Sequence, residues 1–270
     1  MAGLTLALLT TAWSGRVVLS ISLDRGSLRD SVLSPAIVTH ESAVRRIAAI
    51  MTRDLKIPLP DRVTLYLYDS AELFEHGLVN DARVAPALAA ELSDFAAGVT
   101  VRDHLLLLEP GLVARRQREW LRLIAHELTH LAEIELTEGE GRAAQWLSEG
   151  TAEWVAATVL ERLGIASVAE RRALARLAIR DGGPPADLAS LVEPRDFIAG
   201  HRRAGGTRTY QLAFLLADRL VERHGFGGLL AYFRAFASSP DREANFLQVF
   251  GQSADEFEHT MRAELAQDVI

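Results

Sequence analysis

The sequence predicts an α+β protein, with strands gathered in its first half and helices filling its second, and three observations carry that expectation. Residues 63–68 are β-branched, apolar and aromatic and follow a turn at Pro58 and Pro60. From residue 117 almost to the end, apolar residues recur at helical spacing. The strand-like and helix-like stretches are segregated, which is the α+β pattern and not the alternation of βαβ units.

The elements are taken in chain order. Residues 16–23 alternate between Val17, Leu19, Ile21 and Leu23 on one side and Val18, Ser20 and Ser22 on the other, a half-buried strand. Residues 39–55 carry Val44, Ile47, Ala48, Ile50 and Met51 near helical spacing and stop before Pro58. After the strand at 63–68, residues 97–108 read as a hairpin or two short strands, with Gly98 and Arg102-Asp103 inside them. Helices are expected at 117–136, 145–163, 168–179, 209–224, 228–237 and 253–267. Gly225 suits a helix C-cap, and Ser253 with Glu256 forms a capping box. The Gly/Pro cluster at 181–185 and the polar stretch 201–207 mark a long irregular connection.

A chain of 270 residues, 49% of them apolar, can bury a full core as one large domain or as two lobes about a cleft. We expect a single domain over residues 16–270, with lobes of about 16–136 and 137–270. The net charge of -7 gives no basic footprint for phosphate neutralisation, so nucleic acid is excluded as the main partner. The absence of cysteine removes disulfides, thiolate nucleophiles and thiolate metal ligands.

Residues 4–13 are apolar, the length of the hydrophobic part of a signal peptide, but no Lys or Arg precedes them. Three readings stay open for residues 1–15: a cleaved signal, a buried first segment, or a membrane anchor. The anchor is disfavoured, because Arg16 would interrupt a span of roughly 20 apolar residues. The run favours export over retention in the cytoplasm.

Chemistry concentrates in His126-Glu127-Leu128-Thr129-His130, an H-E-x-x-H sequence inside a strong helical pattern. Four residues of helix bring the two imidazoles onto one face, within reach of one ion, and put Glu127 on the neighbouring flank. A carboxylate there stands beside the metal, where a base for an attacking water belongs. Leu121, Ile124, Ala125, Leu128, Leu131 and Ala132 form the opposite stripe and seat the helix on the core, while Leu123 and Ile134 fall near the histidines as an apolar floor. The alternative is a solvated helix face with no metal. A catalytic zinc takes three protein ligands, so a third must come from elsewhere. Glu149, in Trp146-Leu147-Ser148-Glu149-Gly150-Thr151-Ala152, is the candidate: Ala152 and Ala156 on its face are small enough to let two helices approach. Glu153, one turn on, can hydrogen-bond a ligating histidine or serve as an ordinary surface acid.

H-E-x-x-H, eighteen intervening residues and Glu149 within W-L-S-E-G-T-A together resemble the gluzincin metallopeptidases, whose compact core is called peptidase MA-like. The similarity covers residues 117–267, and its specific part runs from His126 to Tyr210. It implies a zincin-like fold, with a small N-terminal mixed-sheet lobe bearing the active-site helix and a mainly helical C-terminal lobe. It implies one Zn2+ per chain held by His126, His130 and Glu149, Glu127 as general base, and a peptide or protein substrate. Tyr210, at the start of a helix, matches the family's oxyanion-stabilising Tyr, a phenol donor of the kind developing charge needs; its alternative is a core-capping Tyr. His201, beside Arg202 and Arg203 in the irregular stretch, is a substrate-contact candidate. The aminopeptidases' G-x-M-E-N motif is missing, the nearest strand being Gly98-Val99-Thr100-Val101, and no large N-terminal β-domain fits. Exo- or endopeptidase action therefore stays open, as do a zinc hydrolase of another amide or ester and an inactive zinc-stabilised binding module. The strand at 97–108 is expected to hold an extended peptide by backbone pairing.

Overall fold

The computed structural model describes residues 15–33, 37–109, 117–139, 143–181, 187–203 and 208–267. The expectations for residues 1–14 and for most of the irregular connections at 182–186 and 204–207 lie outside the described residues. No described helix is long and apolar enough to cross a membrane.

A four-stranded mixed sheet is built entirely from the first 108 residues, and the described elements beyond it are helical. Strands β1 (Arg16–Ser22), β2 (Arg62–Tyr68), β3 (Gly98–Val101) and β4 (His104–Leu108) lie in the order β1-β2-β4-β3. β1 pairs antiparallel with β2, β2 parallel with β4, and β3 antiparallel with β4, so β3 forms one edge. The 97–108 region is thus a hairpin of two short strands, turned by Arg102 at φ 56°.

Helices α1 (Arg25–Leu33) and α2 (His40–Asp54) precede β2. Thr39 and Ser42 exchange side-chain to backbone bonds in a capping box that fixes where α2 starts. Helices α3 (Ala71–Asn80) and α4 (Pro86–Ser93) lead into β3. Then come α5 (Gln117–Leu136), α6 (Gln145–Arg162), α7 (Val168–Asp181), a 3-10 turn (Leu188–Leu191), α8 (Pro194–Arg203), α9 (Arg208–His224), α10 (Phe226–Ala235), α11 (Arg242–Phe250) and α12 (Ala254–Gln267). Ser253 and Glu256 cap α12 reciprocally, as the sequence predicts. Gly225, at φ 69°, separates α9 from α10 in a conformation only glycine adopts freely.

The sequence reading misses α1, α3, α4, α8 and α11. The most consequential is α8, because His201 lies in its last turn and not in an irregular stretch. Pro194 supplies the favoured first-turn proline, and His201, Arg202 and Arg203 complement the negative end of the helix dipole. A Gly-containing basic run that looks like loop is therefore a helix C-terminus.

Two apolar clusters make the main core. The first joins β1, β2 and β4 to α2, α5 and the far half of α6. The second joins the near half of α6 to α7, α9, α10, α11 and α12. The stripe Leu121, Ile124, Ala125, Leu128, Leu131 and Ala132 is at most 2% exposed, which anchors α5 and turns its opposite face to the cleft. Gly150 decides how closely α6 meets α9: a Cβ there would lie 2.2 Å from the Ala213 carbonyl oxygen. The glycine directly after Glu149 is the contact that lets the Tyr210 helix pack tightly.

Candidate metal centre

His126, Glu127 and His130 project from α5, and Glu149 and Glu153 from the facing helix α6, into a cleft of about 900 Å³. Tyr210, in the first turn of α9, and His201, in the last turn of α8, line the same cleft. All seven residues singled out in the sequence meet there. Leu123 and Ile134 lie beside the histidines, and Phe95, Phe197 and Ile198 add apolar wall.

Among the described residues, His126, His130 and Glu149 are the one group of three or more potential ligands close enough to share an ion. His126 Nε2 lies 3.1 Å from His130 Nε2 and 3.1 Å from Glu149 Oε2, and His130 Nε2 lies 3.7 Å from Glu149 Oε2. A tetrahedral ion with bonds of about 2.0–2.2 Å separates its ligands by roughly 3.3–3.6 Å, so this triangle comes within about 0.2 Å of the size such an ion requires. Glu149 Oε2 is buried and receives no hydrogen bond, while Oε1 accepts one from Gln145 Nε2 at 2.7 Å. One carboxylate oxygen is thus fixed, and the other is aimed at the two nitrogens. The residues present fit a divalent cation.

Electrostatics lead to the same conclusion. Burial opposes charge on His126, but the Glu149 and Glu153 carboxylates beside it outweigh that and hold the imidazole up to about 9. Burial likewise opposes charge on His130, and the Glu133 and Glu149 carboxylates raise it well above its ordinary value. Glu149, despite burial, is held well below the usual carboxylate range by His130 and His126. The cluster calls for positive charge at its centre, which protons supply where no metal does.

Each imidazole has a carboxylate behind it. Glu153 Oε1 lies 3.1 Å from His126 Nδ1, off-axis for a full hydrogen bond. Burial opposes its charge, but Arg122, His126 and Arg171 hold Glu153 well below the usual range. Arg122 bonds its Oε1, and Arg171 Nη2 bonds its Oε2 at 2.9 Å. On the other side, Glu133 Oε2 lies 3.0 Å from His130 Nδ1 and accepts from Ser148 Oγ. Burial pushes Glu133 up, against the pull of His130 and Ser148. Such carboxylates fix the tautomer and raise the basicity of a ligating imidazole.

The facing wall differs. Burial, with Glu149, Glu153 and Glu127 nearby, pushes the Tyr210 phenol well above its ordinary value, so it stays a neutral donor. Its ring lies 6.3 Å from that of His126 and 5.3 Å, edge-on, from that of His201. Burial lowers His201, and its Nδ1 is buried with no hydrogen-bond partner among the described residues.

Sequence reasoning misses Glu133, Ser148, Gln145, Arg122, Arg171 and Thr100. Glu133 stands three residues after His130 and Gln145 four before Glu149, so helical spacing could have found both. Arg171 and Thr100 reach the site only through tertiary packing and leave no local signal. No protein-family model matches this chain, and no curated protein or solved structure matches it significantly, so functional assignment rests on the spacing and geometry of its own residues.

Proposed function

We propose that the chain is a zinc-dependent hydrolase of peptide bonds of the gluzincin type, with one ion per chain. The observation that supports this most is the buried triangle of His126, His130 and Glu149 opening on a cleft whose wall also carries Glu127. A structural metal site has no need of a carboxylate beside it that is not a ligand, whereas a hydrolytic one does. Zinc, when bound, supplies Lewis acidity to water and to a substrate carbonyl.

The chain's own residues do the rest. Glu127 takes a proton from the attacking water and hands it to the leaving amine nitrogen. Tyr210 donates its phenol hydrogen to the oxygen on which charge develops. Glu153 and Glu133 hold His126 and His130 in orientation. Edge strand β3 receives an extended peptide by backbone pairing, and the apolar walls exclude water. His201 contacts the substrate from the facing wall.

The test is zinc content and peptide-library hydrolysis for wild type, Glu127→Gln and His126→Ala. Stoichiometric zinc in wild type and in Glu127→Gln, loss of zinc in His126→Ala, and hydrolysis by wild type alone are expected. Substoichiometric zinc in reconstituted wild type overturns the ligand assignment. Full zinc with no peptide cleaved overturns the peptidase reading and leaves another amide or ester substrate, or a binding module.

A further inference from the structure

Glu127 does not stand free beside the histidines; edge strand β3 holds it. Residues 98 and 100 lie two apart on a strand and so share a face, here the one turned to α5. Their neighbours Val99 and Val101 pack into the cluster around Tyr68 and Phe74. Thr100 Oγ1 lies 2.7 Å from Glu127 Oε2 and 2.9 Å from the Glu127 backbone carbonyl oxygen. A hydroxyl has one proton, and a charged carboxylate competes for it better than a carbonyl already used within a helix. Gly98 meets the other oxygen: a Cβ at this position would sit 2.5 Å from Glu127 Oε1 and 2.9 Å from Cδ. Glycine weakens a strand, and close approach by another group is a standing reason for it to be there.

We propose that Thr100 and Gly98 are positioning residues for the Glu127 carboxylate, with Oε2 anchored by the Thr100 hydroxyl and Oε1, lying over Gly98, carrying the proton from water to leaving amine. This deepens the reading of Glu127 as general base and rests on it. The anchor weakens but need not break on transfer, because Oε2 still accepts as the carbonyl oxygen of the acid. The strand expected to pair with substrate is then also the strand that sets the rotamer of the base.

Three variants and one cycle test this. Thr100→Val keeps the shape and removes the donor; kcat should fall about tenfold with KM within about twofold, the pattern of an interaction used only beyond the bound state. Thr100→Ser, which keeps the donor, should restore most of that loss. Gly98→Ala should cost about a hundredfold in kcat, as misplacement of a reacting group by roughly 1 Å does. Zinc stoichiometry should stay full in all three. Independently of activity, Thr100→Val should shift the unfolding equilibrium constant about tenfold more in the wild-type background than in Glu127→Ala. Equal shifts in both backgrounds, or an unaltered kcat in Thr100→Val, overturn the tether. Should Gly98→Ala not fold, Thr100→Val and the cycle still decide. A wild type that cleaves no peptide refutes the peptidase reading alone, and the cycle still decides whether Thr100 holds Glu127.

Discussion

On the metal wall of the cleft, α5 and α6 supply the ligands and most of the groups behind them, some through contacts one helical turn apart and others across the two helices. His130 meets Glu133 three residues on, and Gln145 meets Glu149 four residues on. On the facing wall, the consecutive helices α8 and α9 bring in His201 and Tyr210 from a stretch well after α5 and α6, and among the described residues His201 Nδ1 has no partner. A wall whose candidate ligands are each backed by a second polar side chain, with Glu149 Oε2 left facing both imidazoles, is arranged to hold an ion in fixed geometry. A wall with donors left over is arranged for a group that arrives later. Substitutions on the two walls should therefore separate: the first set changes metal affinity, the second turnover.

The largest effect is expected on the metal wall. Glu149→Ala removes the oxygen aimed at both histidines, and zinc affinity should fall by more than the roughly 10–100-fold typical of losing a group behind a ligand. Titration against a competing chelator measures it. Near-wild-type affinity would mean that Glu149 is not a ligand. Next in size, on the facing wall, Tyr210→Phe should lower kcat about 10²–10³-fold, the range for losing one oxyanion donor, while zinc titrates as in wild type. A Tyr210→Phe protein that loses zinc would break the separation between the walls.

The same division explains what could be read in advance. H-E-x-x-H and the Glu149 spacing lie in two long helices, so His126, Glu127, His130 and Glu149 are legible one by one, whereas Glu133, Ser148, Gln145 and Arg122 behind them go unread. Tyr210 is legible only through a resemblance, and His201 is found in the right cleft but on the wrong kind of element. Helix α8 is hidden by Gly200 and its basic end; α3 and α4 are 10 and 8 residues long, too short for periodicity to stand out. The sheet order β1-β2-β4-β3, which makes β3 an edge, depends on pairings between distant segments that composition does not encode. Thr100 and Gly98 are invisible for the same reason.

Glu133 sharpens the comparison, because its burial is hard to explain by stability. It is 6% exposed, with Oε1 buried and unpartnered, an arrangement that costs free energy in folding. Glu133→Ala should weaken zinc binding about 10–100-fold, yet leave the metal-free protein as stable as wild type or more so. Chelator titration and denaturant unfolding of the metal-free protein check the two halves. A variant that binds zinc normally but unfolds easily would make Glu133 a structural acid.

The smallest effect is expected at Gln145, where it separates orientation from charge. Gln145 Nε2 holds Glu149 Oε1 at 2.7 Å and so selects Oε2 as the oxygen facing the histidines. Thr100 treats Glu127 in the same way, tying Oε2 and leaving Oε1. Both carboxylates at the centre thus have one oxygen fixed from a neighbouring residue and one left for chemistry. Gln145→Leu leaves every charge in place and releases only that tie. Because a hydrogen bond to a charged group contributes about 1.5 kcal/mol, zinc affinity should fall about tenfold, with kcat at saturating zinc unchanged. Gln145→Glu puts a second carboxylate against Glu149, so it should weaken zinc binding further if orientation is what Gln145 supplies. Tighter binding in that variant would show that the site lacks negative charge, and that its geometry is already set by the helices alone.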